Sequence, residues 1–293
     1  MDSFSVIDAD IHTIYSSDFY RILDFKCRCM DCRVSKPEYS NSFCISFVRK
    51  GNFLFNVFRQ SLDSYTGCIL VSKPEYERTV SHVHAVPDEC TIFDFTGDFY
   101  QELLQRYRTA KFFMDNDWHS ALVRTNTETE FLHLYIMQQV QARSGSKLQI
   151  DQLVMKMIGK VLGSVTDYEP DMNIHARLKK NHLVTIERAK EYIAGNFTRD
   201  ISLMEIAEYC YVSPFHFSRI FKTFTSYSPH QFLLSIRLQH AKMLLQNTTM
   251  PVADIGFSSG FNSIEHFTAA FHQKYKHPPS RFRTKNEAGA SRE

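Results

Sequence analysis

The chain has 293 residues, 43% of them hydrophobic, and a formal net charge of +2. That length is more than one small domain needs and suggests two, and no apolar run reaches the roughly 18 residues that a membrane span requires. The opening Met1-Asp2-Ser3-Phe4 lacks the basic-then-apolar pattern of a secretion signal, which points to the cytoplasm, and seven cysteines in a reducing compartment argue against a disulfide framework.

Residues 5 to about 97 read as a series of short strands. Phe43-Cys44-Ile45-Ser46-Phe47-Val48 and Phe53-Leu54-Phe55-Asn56-Val57-Phe58 flank Lys50-Gly51-Asn52, a hairpin signal. Cys68–Val71, Thr79–Val83 and Thr91–Phe95 continue in the same style. Short strands without intervening helices predict a closed or sandwiched antiparallel barrel. Within this stretch Cys27, Cys29 and Cys32 place three thiols within six residues. Strand alternation points Cys27 and Cys29 to one face. With Cys90, His82 and His84 as further candidate ligands, the group suits zinc or another soft metal, or a redox switch. The plain alternative is a set of small buried residues that happen to cluster.

Helices take over after Gly97. Apolar residues fall at three- and four-residue spacing over Thr129–Ala142 (Phe131, Leu134, Met137, Val140) and Leu148–Leu162 (Ile150, Leu153, Met157, Val161). Such stripes need a partner surface, either the chain's own barrel or a second copy. The polar stretch from Asp167 through Pro170 to Asn173 reads as a linker. Beyond it the charge changes sign. From Asn173 to the end there are 16 Lys/Arg against 9 Asp/Glu, and before it 18 against 23. An acidic front and a basic back fit a sensing domain joined to one that binds a polyanion.

The C-terminal part holds an internal repeat. Ser213-Pro-Phe-His-Phe-Ser-Arg-Ile-Phe221 matches Ser263-Ile-Glu-His-Phe-Thr-Ala-Ala-Phe271 at an offset of 50, and Pro229-His-Gln-Phe232 matches Pro279-Ser-Arg-Phe282. Local rules build each copy. Ser202-Leu-Met-Glu205 is a capping box with Ile201 and Ile206 as its staple. Ser213 caps a second helix with Pro214 at its first position. Phe217, Ile220 and Phe221 then face inward, leaving Phe215, Ser218, Arg219 and Lys222 outward. A short helix, a tight turn and a second helix with a polar outer face make a helix-turn-helix. The second copy runs from Pro251 through Ile255, Gly256 and Gly260 to the helix capped by Ser263. Between the copies Phe232, Ile236, His240 and Leu244 mark a helix of about 17 residues, roughly 25 Å long. That length would hold two recognition helices about one DNA turn, roughly 34 Å, apart.

This arrangement resembles the AraC/XylS family of transcription regulators. The residues that carry the resemblance are Ile206-Ala207, Val212-Ser213, Phe217, Arg219, Phe221-Lys222, Ser228-Pro229, Arg237, Ala241 and Leu244-Leu245. In the second copy they are Ile255, Gly260-Phe261, Ser263, Phe267, Phe271, Pro279 and Phe282-Arg283. The resemblance implies a two-domain protein. Its first part would be a mainly-β, cupin-like barrel with following helices (1–165) that senses an effector and dimerises. A linker (166–176), an all-α DNA-binding domain of seven helices with two helix-turn-helix units (177–285) and a tail (286–293) would follow. It also implies a DNA-binding regulator of the bacterial cytoplasm and nucleoid, more often an activator. Its partners would be double-stranded DNA, a small-molecule effector, RNA polymerase and a second copy of the chain, with no membrane.

The DNA-facing positions carried over are Phe215, His216, Ser218, Arg219 and Lys222, then Ile264, Glu265, His266, Thr268 and His272. Arg219 is suited to guanine O6/N7 and Lys222 to phosphate; the plain alternative is a solvated helix face. The second copy has Ala269 and His272 at those two positions, so the first is expected to dominate affinity. Ser226 and Lys276 replace glycines often seen after these helices and Gly256 replaces an alanine, which reads as tolerated drift. His82-Val83-His84 with Glu89 is similar to the metal-binding pattern of enzymatic cupins. It lacks the preceding glycine and a second histidine motif, so an enzyme is not expected. The alternatives are a metal-dependent cupin enzyme with a DNA-binding tail, or a regulator under thiol, metal or protein-partner control with zinc as the one candidate cofactor.

Overall fold

The computed structural model of the chain describes residues 9–28, 34–83, 87–142, 145–166 and 174–283. By its contacts the chain divides into two units. The first holds residues up to Thr125 together with Leu132–Glu187, and the second holds Asn126–Phe131 and the residues from Arg188 onward. The stretch 167–173, expected as a linker, lies outside the described residues, and the division falls inside a helix.

In the first unit β1 (Ala9–Ser16), β2 (Tyr20–Cys27), β3 (Glu38–Ser40), β4 (Phe43–Lys50), β5 (Asn52–Val57), β6 (Gln60–Tyr65), β7 (Cys68–Ser72), β8 (Tyr76–His82) and β9 (Glu89–Phe95) follow one another. Then come α1 (Gly97–Arg106), α2 (Lys111–Met114), β10 (Ser120–Arg124), α3 (Thr127–Ala142), α4 (Lys147–Thr166) and α5 (Ala176–Asn196), the last running across the division. The strands form two antiparallel sheets, one in the order β1-β2-β9-β4-β7-β10 and one in the order β3-β8-β5-β6. Phe43–Val48 is apolar or small throughout and buried at every position, as befits a central strand covered on both faces.

Two expectations fail here. The Lys50-Gly51-Asn52 turn does not make a hairpin: β4 pairs with β7 and β9, whereas β5 pairs with β6 and β8. Gly51, at φ +89°, is instead a corner at which the chain passes from one sheet to the other. Its amide donates to Oε1 of Glu187 on α5 at 2.9 Å, and the Thr66 hydroxyl donates to the same oxygen at 2.6 Å. Helices also do not take over completely after Gly97. Strand β10 returns and pairs with β7 to complete the six-stranded sheet.

One face of that sheet carries Tyr20, Ile22, Phe43, Ile45 and Phe93, which share a core with Phe99 of α1, Ile136 of α3 and Val154, Met157 and Val161 of α4. The apolar stripes of α3 and α4 are therefore consumed within the chain. Ile150, Met157 and Val161 are fully buried, and Met137, Val140 and Leu153 pack at the margin. Burying each large side chain in this core contributes about 1.5–3 kcal/mol.

The second unit is helical: α6 (Leu203–Tyr209), α7 (Pro214–Thr225), α8 (Pro229–Asn247), α9 (Val252–Ser258) and α10 (Ile264–Tyr275), followed by a helical stretch over 279–283. Serines start four of these helices. Ser202 and Ser228 close capping boxes with Glu205 and Gln231, and Ser213 and Ser263 accept from the amides of His216 and His266. Each cap satisfies an amide that helical bonding leaves over, worth about 1 kcal/mol.

Candidate nucleic-acid interface

The two copies of the repeat build the same aromatic core. Phe217 lies 5.4 Å from Phe221, which meets Phe232 edge-on at 5.4 Å. Fifty residues later Phe267 lies 5.6 Å from Phe271, which meets Phe282 edge-on at 5.4 Å. These rings pin the buried side of α7 and α10 and so decide which residues face outward. Helix α8, 19 residues and about 28 Å long, joins the copies. The expected inward set Phe217, Ile220 and Phe221 is buried.

On the outer face of α7, Arg219 and Lys222 are exposed, Ser218 and His216 are half-buried, and Phe215 is 83% exposed. Among the described residues neither Arg219 nor Lys222 is engaged in an ion pair, so both cations are presented to solvent. On α10, Glu265, His266 and His272 are exposed and Ile264 and Thr268 half-buried. The His266 ring lies edge-on to Phe261 at 5.5 Å, which fixes its direction. Ala269 stands where α7 has Arg219. Its small side chain leaves a hollow lined by Ile264, Glu265, Thr268, Ala269, His272 and Pro278. A helix whose exposed side offers guanidinium, ammonium, hydroxyl and aromatic groups can donate to base edges and phosphates and touch a thymine methyl.

Three details that the repeat pattern did not reveal matter here. Ser226 and Lys276 end α7 and α10 with left-handed backbone, each at φ 64°. Gly256 is close-packed, since a Cβ there would lie 2.9 Å from Cδ1 of buried Phe267. Gly256 is therefore set by packing, whereas Ser226 and Lys276 occupy left-handed positions that suit glycine and that these residues tolerate. The third detail is in the turns. The amides of Tyr211 and Val212 donate to Glu208 and Ala207, and those of Gly260 and Phe261 donate to Phe257 and Gly256. The first helices and turns thus correspond at an offset of 49 and the recognition helices at 50, which makes Asn262 an extra residue in the second turn. A glycine, Gly260, stands where the first copy has Tyr211.

Of the candidate metal ligands, Cys29, Cys32 and His84 lie outside the described residues. Cys27 and Cys90 are buried. Cys90 pairs across to Phe25 in β2 and Val48 in β4. Among the described residues the group able to share a metal is Cys27, His82 and Asp88. Cys90 and Glu89 are not in it, and Asp88 had not been singled out as a ligand. Its signal was the strand register, because Asp88 stands opposite Cys27.

Comparison with known proteins places the helical part. A model described as a helix-turn-helix domain matches residues 206–285. The bifunctional transcriptional activator/DNA repair enzyme AdaA of Bacillus subtilis is 31% identical over 98 residues, 33% of this chain and 46% of that protein. The regulatory protein PocR of Salmonella typhimurium is 25% identical over 137 residues, 47% of this chain and 45% of that protein. This chain therefore spans less than half the length of these two relatives. Among solved structures, the C-terminal domain of AraT, a response regulator from Geobacillus stearothermophilus, is 30% identical; the match covers 34% of this chain and 84% of that one, with a TM-score of 0.34.

Proposed function

Because the chain belongs, through its C-terminal helix-turn-helix domain, to the AraC/XylS family, we propose that it is a sequence-specific DNA-binding regulator of transcription, acting as an activator. Helices α7 and α10 enter successive major-groove segments on one face of the duplex. The observation that carries this reading is the duplicated phenylalanine core, which turns the outer faces of both helices to solvent in the same way. Arg219 donates to guanine O6/N7, Phe215 touches a thymine methyl, and His216, Ser218 and Lys222 fix the position on the backbone. In the second copy Ile264, Glu265, His266, Thr268 and His272 face the bases and phosphates. With Ala269 in place of an arginine, that copy contributes less affinity.

The first unit is a cupin-like sensor that binds a small-molecule effector, and the regulator works in the cytoplasm with RNA polymerase as a partner. Among the described residues no helix is long and apolar enough to cross a membrane. Two copies would pair through the helices that follow the strands, where Leu148 and Met155 on α4 are exposed.

Genome-wide footprinting of the tagged full chain, with Arg219→Ala as control, tests this. Discrete sites of roughly 17–20 base pairs, enough for two groove segments one turn apart, are expected and should be lost in the variant. Diffuse occupancy unchanged by Arg219→Ala would overturn the reading.

A further inference from the structure

Cys27 ends β2 in one sheet, His82 ends β8 in the other, and Asp88 immediately precedes β9. Each brings one ligand atom to within 4.8 Å of the others. The backbone sets this up, since the Cys27 amide donates to the Asp88 carbonyl at 2.8 Å and so extends the β2–β9 ladder to this pair. The site is shielded: Cys27 is 7% exposed and Asp88 2%, and the His82 side chain is 13% exposed.

The two nitrogens of His82 have different partners. Nδ1 lies 2.5 Å from Oδ2 of Asp88, and Nε2 lies 3.5 Å from Sγ of Cys27. An ionised carboxylate only accepts, so it holds a hydrogen on Nδ1 and turns Nε2 toward the sulfur. A carboxylate behind a histidine that turns its other nitrogen toward a thiol is the arrangement used to orient metal ligands. The distance agrees. Zinc bonds of about 2.3 Å to sulfur and 2.05 Å to nitrogen, at the tetrahedral angle, put S and N about 3.6 Å apart. The observed 3.5 Å would accommodate the ion with little movement.

We propose that Cys27 and His82 bind a soft divalent cation of the zinc type, with Asp88 as the carboxylate that orients the histidine. Binding releases the thiol proton, together with the Nε2 proton wherever the ring carries one, and leaves two positions of a tetrahedron for other donors. Cys29 and Cys32 stand two and five residues further along the sequence, and the experiment reads their contribution separately. The proposal does not depend on DNA binding.

The test is cobalt(II) titration of the untagged full-length protein, with zinc content measured after exhaustive dialysis. The expected result is a thiolate-to-cobalt charge-transfer band with tetrahedral visible bands, displaced by zinc. Cys27→Ser and His82→Gln should abolish the band, Cys44→Ser should leave it, and Asp88→Asn should keep it at about 10- to 100-fold lower affinity. Circular dichroism establishes that each variant is folded. Should Cys27→Ser not fold, wild-type Cys27 itself is read by mass spectrometry after alkylation, with protection by zinc that a chelator removes as the expected outcome. No thiolate band and no retained zinc in the wild type would overturn the proposal. So would a band that survives Cys27→Ser, whether or not it is lost with Cys29→Ser and Cys32→Ser.

Discussion

Replacing Ser226 by glycine should stabilise the helical unit, and the amount can be worked from the backbone. Ser226 ends α7 at φ 64°, ψ 3°, and Lys276 ends α10 at φ 64°, ψ 6°. Each amide still closes the last turn, onto the carbonyl of Lys222 at 2.9 Å and of His272 at 2.8 Å, so the fold holds these residues in a left-handed conformation. An L-residue there costs about 1–2 kcal/mol, and glycine adopts it freely. Glycine returns about 0.4–1 kcal/mol because the unfolded chain gains freedom. The difference is a stabilisation of about 0.5–1 kcal/mol for Ser226→Gly. Lys276 differs because its charge at the end of α10 is worth about 0.3–1 kcal/mol against the helix dipole, and glycine forfeits it. Lys276→Gly should therefore gain less, between zero and about 0.5 kcal/mol. Lying in separate copies of the repeat, the two changes should add to within about 0.3–0.5 kcal/mol. Urea unfolding of the full-length protein, followed by far-ultraviolet circular dichroism, reads this as a higher midpoint at constant slope. A lower midpoint for Ser226→Gly would refute the left-handed helix ending.

The remaining expectations concern the same unit. Gly256→Ala gains about 1 kcal/mol of helix propensity but drives a methyl against Phe267, an overpacking cost of about 1–3 kcal/mol; the same urea assay should show net destabilisation. Arg219→Ala should weaken specific DNA binding by about 1–3 kcal/mol, roughly 5- to 150-fold. Ala269→Arg, filling the hollow on α10, should tighten it in fluorescence-anisotropy titrations. Burial pushes His240 down to about 4 from the ordinary 6.5, its ring lying between Phe131 and Phe197 with Nδ1 3.0 Å from the Ser259 hydroxyl. The unfolded chain then binds the proton first. Stability from this group is intact above pH 6.5 and falls as pH drops toward 4, by up to about 3 kcal/mol. His240→Gln should flatten that slope, and an unchanged pH profile would show that the ring is not buried neutral.

How much of this was legible depended on how local the cause is. The serine caps, Pro214, the inward phenylalanines and the outward Arg219 follow from residues within one turn of each other, and periodicity exposes them. The corner at Gly51 was misread because a glycine at positive φ serves a hairpin and a sheet change equally well. What decides is pairing with β7 and β9 on one side and with β6 and β8 on the other, contacts distant in sequence. Strand β10 was missed for the same reason, since five residues after two helices carry little pattern until β7 offers an edge. Asp88 does not stand out as a ligand among the thiols and imidazoles because its place beside them comes from register with Cys27, not from spacing. Gly51 and Asp88 explain each other, since a Cβ on Gly51 would lie 2.0 Å from Oδ1 of Asp88.

The two helix-turn-helix copies have diverged in strain and charge together. In the second, the left-handed turn position is Gly260, at φ +87°, and it has to be glycine, because a Cβ would lie 2.6 Å from the carbonyl oxygen of Phe197 and 2.8 Å from Nε of Arg237. In the first, the corresponding residue is Tyr211, at φ 58° and 83% exposed, held by its amide bond to Glu208 and by the Arg188 guanidinium 5.3 Å above its ring. A bulky residue in this region persists only where its surroundings over-determine it, and such positions concentrate at functional sites. Here the strained turn leads directly into the helix that presents Phe215, Arg219 and Lys222, while the relaxed one leads into the helix with Ala269 and His272. Local strain and exposed cations therefore coincide in the first copy, the one expected to dominate the affinity of the proposed DNA complex.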